Sequence, residues 1–292
     1  MIAHDAAGGC WSPHHRHVRG GGTHMVEGYR RLVSELRAGA GGGDLSSEEE
    51  TEAFIEDFDS LIVLYGDYER LGKGVAPTVE MPPIYSAIYH GAVCLYGSYA
   101  VIDNIQPWDE KWPEEKRRRH EKDWMAMFPD QFAVDFARPV TWGLQPTVHQ
   151  LLMKHATEAK YAEEYRFVID TAKFYHANRD LLYDGEMLNP GTLACDRVKV
   201  DFLWRGVYAA DNEYLVFTEP GLPAVMHSVW KSPEGRVAAV LVNWTRKARK
   251  YELKSPAITA GGELPPRSWL CVESGAGRAS RSLAELARGK GR

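Results

Sequence analysis

A chain of 292 residues, 44% hydrophobic and 26% charged, has the composition of a globular protein that buries one large core or two ordinary ones. Its formal net charge of −5 supplies no basic excess for tracking nucleic-acid phosphates, and no stretch approaches the roughly 20 apolar residues that cross a bilayer. Four scattered cysteines (Cys10, Cys94, Cys195 and Cys271) without a Cys-x-x-Cys pair read as reduced thiols, and the N-terminus lacks a basic region followed by an apolar core, so the default location is cytoplasmic.

The chain opens on Met1-Ile-Ala-His-Asp5, a short apolar segment that stops at a carboxylate, and runs into Cys10-Trp-Ser-Pro-His-His-Arg-His17 and Gly20-Gly-Gly22. A strand that ends in a carboxylate and opens into a loop of His, Trp and Gly is how the rim of a (β/α) barrel carries chemistry. Such a strand at residue 2 predicts that the chain is the C-terminal part of a larger enzyme. From there to residue 186, helical periodicity alternates with short apolar runs, the pattern of β/α units. Val26, Tyr29, Leu32, Val33 and Leu36 predict a helix over Met25 to Arg37, ended by the glycines from Gly39 to Gly43. Phe54, Ile55, Phe58, Leu61 and Ile62 predict a second helix from Glu49 to Tyr65. Pro82 to Tyr89 reads as a strand that ends at His90, and Pro139 to Trp142 as another closed by Gly143. Trp108 to Trp124 reads as a solvated helix face, and a long helix is expected from Ala162 to Leu182.

Near Gly185 the rhythm changes. Val198 to Leu203, Tyr214 to Phe217, Ala224 to Trp230 and Val237 to Trp244 are strand-like, with turn signals at Pro220-Gly221, Ser232 to Gly235 and Gly261-Gly262. They predict an antiparallel β-sandwich over 187–274, followed by a disordered basic tail over 275–292.

The succession Asp5, Cys10 to Gly22, Glu27-Gly-Tyr-Arg-Arg-Leu32, Leu45-Ser-Ser-Glu48 with Glu52 and Asp59, and Pro83 to Gly91 resembles a family of glycoside-hydrolase-like (β/α)8-barrel proteins of largely unknown function. Trp142-Gly-Leu-Gln145, Asn178 to Glu186, His227 to Trp230 and Val242-Asn-Trp-Thr245 fit the same pattern. The resemblance implies an α/β fold in which 1–186 is the C-terminal part of the barrel and a sandwich follows. A (β/α)8 barrel takes about 250 residues, so an incomplete, open TIM-type barrel is expected, with self-association through its unpaired edges.

Glycosidic cleavage needs one carboxylate to attack or stabilise the anomeric carbon and one carboxyl to assist the leaving oxygen. The resemblance implies Asp5 and Glu48 for these tasks, with His15, His17, Glu52, His90, Trp142 and Gln145 on the substrate side. Each has a plainer reading. Asp5 reads also as a terminal loop residue, Glu48 as an acid in the first turn of a helix capped by a Ser46 or Ser47 box with Glu49 or Glu50, His90 as a strand-end cap and Trp142 as core. No cofactor and no resident metal are expected, and the partner is a carbohydrate, with neither nucleic acid nor membrane. One alternative is a non-catalytic carbohydrate-binding or structural fragment. Another is a zinc-dependent hydrolase built on His15-x-His17, with His14, His24 and Cys10 nearby.

Overall fold

The computed structural model describes residues 24–48, 52–63, 83–97, 100–103, 123–203, 214–216 and 221–275. Asp5, the 10–22 loop with His15 and His17, most of the 108–124 segment and the 276–292 tail lie outside the described residues.

The first helix, α1 (His24–Gly39), forms where the periodicity places it. It buries Val33 and sets the Tyr29 ring 4.7 Å from that of Phe54, while Leu32 and Leu36 stay exposed. Gly41 and Gly42, at φ +63 and +87, turn the chain after it, a left-handed path that glycine takes without a Cβ penalty. The helix expected over 49–65 is not formed as such. A single 3-10 turn at Glu52–Phe54 is followed by the strand β2 (Ser60–Ile62). Phe54, Phe58 and Leu61 are buried together as the helical spacing suggests, but Leu61 enters the core from a strand paired on both sides, and that pairing overrides local periodicity.

Two expected strands are also corrected. Ile84–Tyr89 is the helix α2, entered through Pro83, with Ile84 and Ile88 exposed and the Tyr85 and Tyr89 rings 4.8 Å apart one turn from each other. Proline suits a helix start, because its missing N–H would find no intrahelical partner there. Pro139 to Thr141 is the end of α4 (Gln131–Thr141), a helix in which every residue is buried. Its polar residues Gln131, Asp135 and Arg138 recur at helical spacing, but that stripe is buried with the rest of the helix, and Pro139 near its end reads locally as a breaker.

Four short strands form one parallel sheet in chain order: β1 (Ser46–Ser47), β2, β3 (Cys94–Gly97) and β4 (Gln145–Pro146). The register aligns Ser46 with Ser60 and Cys94, and Ile62 with Tyr96 and Gln145. α3 (Trp124–Met127) and α5 (Met153–Thr157) are short helices, and the long helical region is α6 (Ala162–Ala177) followed by α7 (Arg179–Leu182). After it, two short ribbons pair β7 (Arg197–Val198) with β10 (Leu222–Pro223) and β8 (Asp201–Leu203) with β9 (Tyr214–Val216).

The second half is antiparallel. One sheet has the order β15 (Ser268–Glu273), β12 (Val237–Asn243), β11 (Val225–Lys231), β5 (Glu186–Leu188); another has β14 (Thr259–Leu264), β13 (Arg249–Lys254), β6 (Thr192–Cys195). The central strand β12 is buried on both faces. Ala238, Val240 and Val242 pack with Phe132, Phe136, Phe167 and Phe174 of α4 and α6, whereas Ala239 and Leu241 pack with Tyr251, Leu253 and Leu264 of the outer sheet. That two-sided burial is why the sequence here runs apolar without alternation. Gly261-Gly262, read as a turn, lies within β14, where a Cβ on Gly262 would meet the Tyr251 ring at 3.4 Å.

Arg246 and Arg267 tie the helices to the antiparallel sheets through ion pairs. Arg246 reaches Asp130 at 3.0 Å, Glu163 at 2.9 Å and Glu164 at 2.7 Å; Arg267 reaches Asp130 at 3.2 Å and Glu163 at 3.1 Å.

Candidate functional site

Successive side chains of a strand point to opposite faces, so the parallel register sorts the residues of this sheet into two sets. Leu61, Val63 and Leu95 pack with Leu144, Phe54, Phe58 and Val33 in an apolar core beneath α1. Ser47 shares that side and is fully buried. The other set is mostly polar, with the buried Ile62 among it: Ser46, Ser60 and Cys94 in one row, then Ile62, Tyr96 and Gln145 in the next. Ser46 Oγ and Tyr96 Oη lie 2.7 Å apart, which fixes both on this face although β2 runs between their strands.

Glu48 follows the last residue of β1 directly and is half-buried. It stands just past the C-terminal end of a parallel strand, where the chain bends out of the ladder. That end is where parallel α/β sheets place their chemistry.

A clamp sets the start of this strand. The Leu45 N–H donates to the Asp59 carboxylate at 2.7 Å, the Asp59 N–H donates back to the Leu45 carbonyl at 2.9 Å, and Arg37 pairs with the same carboxylate at 3.0 Å. The Leu45 N–H foremost, with Arg37 added, holds Asp59 below the ordinary aspartate pKa against the opposing effect of its burial. Asp59 therefore anchors β1 to β2 three residues before Glu48.

The other expected site residues separate. Gln145 lies in β4, half-buried and in register with Tyr96. Glu52 is exposed on the 3-10 turn after β1. His90 and Trp142 sit at the opposite, N-terminal ends of β3 and β4, a position that follows from the helical course of Ile84–Tyr89 and Gln131–Thr141. The His90 ring is held by backbone, with Nδ1 2.8 Å from the Gly185 carbonyl and Nε2 2.8 Å from that of Leu182, and it packs on Trp230 at 4.7 Å. Trp142 is half-buried beneath the Arg138 guanidinium at 5.3 Å, and its carbonyl accepts from Ser86. A cavity of about 510 Å³ at this end is lined by Asp59, His90, Cys94, Gly143, Tyr183 and Asp184.

Sequence reasoning missed Tyr96, which stands in a short strand with no turn signal or periodicity to announce it. It also missed a charged cluster on the C-terminal side of β3. Beyond β3 the Ala100 carbonyl accepts from the His149 N–H, and Asp103 follows three residues later. Lys154 Nζ lies 2.6 Å from this carboxylate and His155 Nε2 lies 3.7 Å from it. Burial disfavours the Lys154 ammonium, but Asp103 more than offsets that and leaves its pKa raised. Residues about fifty apart in sequence gave no local signal of this meeting.

Among the described residues, no group of three or more His, Cys, Asp or Glu side chains is placed to hold a metal ion, and no helix is long and apolar enough to cross a membrane. Among the described residues, Cys94, Cys195 and Cys271 form no disulfide. Burial pushes all three thiol pKa values up, that of Cys271 to about 11.

Residues 1–100 match the model of a family described as a domain of unknown function, DUF6259. A stretch of 101 residues is 29% identical to a protein of Bacteroides thetaiotaomicron whose name marks it as a provisionally assigned glycoside hydrolase; the match covers 34% of this chain and 13% of that protein. The similarity is to glycoside-hydrolase-like sequences, and it lies in a part of the chain.

Proposed function

We propose that this chain belongs to a glycoside hydrolase that cleaves a carbohydrate with two carboxylates, one of them Glu48. What supports the reading is the position of Glu48 in the chain, directly beyond a parallel strand whose Ser46 bonds Tyr96, itself in register with Gln145. A carboxylate at a strand end beside hydroxyl and amide groups has the chemistry an oxocarbenium-like transition state requires. Asp5, at the end of the expected preceding strand, is its partner in this reading, with His15 and His17 on the loop that follows. The likeness to a glycoside-hydrolase-like protein supports the same class.

In this proposal the parallel sheet is part of a TIM-type barrel within 1–186, the antiparallel sheets form a β-sandwich over 187–274, and open barrel edges favour self-association. The polar face of the sheet is then the barrel interior, which fits its separation from the apolar face beneath α1. His90 and Trp142, at the other ends of the strands, serve stability rather than sugar contact.

The test is hydrolysis of a panel of 4-nitrophenyl glycosides by the 292-residue chain and by a longer form that adds upstream strands. Release of nitrophenol by the longer form is the expected result. Silence from both forms, each shown to be folded by its circular dichroism, favours a non-catalytic carbohydrate-binding or structural role.

A further inference from the structure

Resting on the reading above, we propose that Tyr96 is a ligand-contacting residue of the Glu48 site, with Ser46 as the residue that positions its hydroxyl, and that the pair takes the vicinal hydroxyls of a sugar ring. Tyr96 belongs to β3 and Ser46 to β1, yet their oxygens lie 2.7 Å apart. Neighbouring strands are separated by about 4.8 Å, so the Tyr96 side chain crosses β2 to make this bond. It thereby passes from the row of Ile62 and Gln145 to the row of Ser46 and Ser60, on the strand that Glu48 follows.

The chemistry of this face is specific in kind. A phenol oxygen has one proton to donate and two lone pairs, a serine hydroxyl the same, an amide offers both roles, and a carboxylate accepts. One bond between Ser46 and Tyr96 leaves each hydroxyl with further capacity. Paired donors and acceptors beside a carboxylate complement adjacent sugar hydroxyls, each of which also donates and accepts. Tyr96 is half-buried, so part of the side chain remains open while its base is held by the sheet. A hydroxyl fixed beforehand by a second residue loses little freedom when a ligand arrives, which is how a rigid strand gives a polar contact its worth.

The probe is 1-deoxynojirimycin with its galacto and manno counterparts, cationic sugar mimics that pair with a site carboxylate, titrated calorimetrically into both forms of the protein. Four variants are compared: Glu48→Gln, Tyr96→Phe, Ser46→Ala and Ser46→Thr. Tyr96→Phe is expected to raise Kd about 10-fold, in line with the loss of one hydrogen bond between polar partners. Ser46→Ala should raise it about threefold and Ser46→Thr should restore it, with melting temperatures unchanged; a merely structural hydroxyl would move the melting temperature instead. Parent-like binding by Tyr96→Phe, where Glu48→Gln has lost it, overturns this inference and leaves the reading of Glu48 intact. Parent-like binding by Glu48→Gln removes the reading and the inference together, as does the absence of binding in the parent.

Discussion

At the scale of the residue, Gly143 stands where two distant side chains close on the backbone. Its φ of +83 is a conformation side chains rarely take, and a Cβ there would come within 2.5 Å of His90 Nε2 and 2.6 Å of Trp230. Its carbonyl accepts from the buried Tyr175 hydroxyl at 3.1 Å, and burial raises the pKa of that phenol, so it stays a donor. Left-handed strain and overpacking add here, and Gly143→Ala is expected to cost about 3 kcal/mol in urea denaturation; a loss below about 1 kcal/mol would show that the junction yields. The sequence marked Gly143 as a stop but not the reason for it, because His90 and Trp230 converge there from segments about 50 and 90 residues away. Glu48 was singled out through the family resemblance, while the two-residue strand before it was not read, because Ser46-Ser47 has no strand-like run of its own. Tyr96 was not singled out, because its partner is known only once the sheet is assembled.

At the scale of the element, local pattern succeeded where one face meets solvent and failed where burial or pairing was decisive. α1 has a polar face and was read from its spacing. α4 has Gln131, Asp135 and Arg138 on one face but buries them, and Pro139 within it suggested a boundary that tertiary packing overrides. The Phe54 to Ile62 stripe is shared between a turn and a strand, so helical spacing was met by a chain that is not helical. The Asp59 clamp belongs to this scale, because it joins β1 to β2. The folded pKa of Asp59 is lowered, so its contribution to stability is present above the unfolded value near 4 and is lost as pH falls through the folded one. Asp59→Asn should therefore lower stability at pH 7 and flatten the acid limb between pH 5 and 2, as read from denaturation midpoints. An acid limb as steep as the parent's would mean that the clamp carries none of it.

At the scale of the whole molecule, one buried cluster runs from Ala100 and Ile102 through α4 and α6 to Trp244, Trp269 and Cys271. It passes through residues on both sides of the boundary proposed at 186 and 187, and β5 on that boundary pairs with β11. The sequence divided the two halves because their rhythms differ, parallel before and antiparallel after, while the contact between them leaves no periodic trace. Thermal unfolding followed by far-UV and by near-UV circular dichroism should give coincident transitions, the mark of one cooperative unit. A separate low-temperature transition of either signal would mean that the shared core does not couple the halves. The central claim is that Glu48 does chemistry at the end of a parallel strand, and the direct measurement is kcat/KM of Glu48→Gln against the parent on the best 4-nitrophenyl glycoside. A fall of about 1000-fold with an unchanged melting temperature is the predicted result; activity within threefold of the parent would contradict the account.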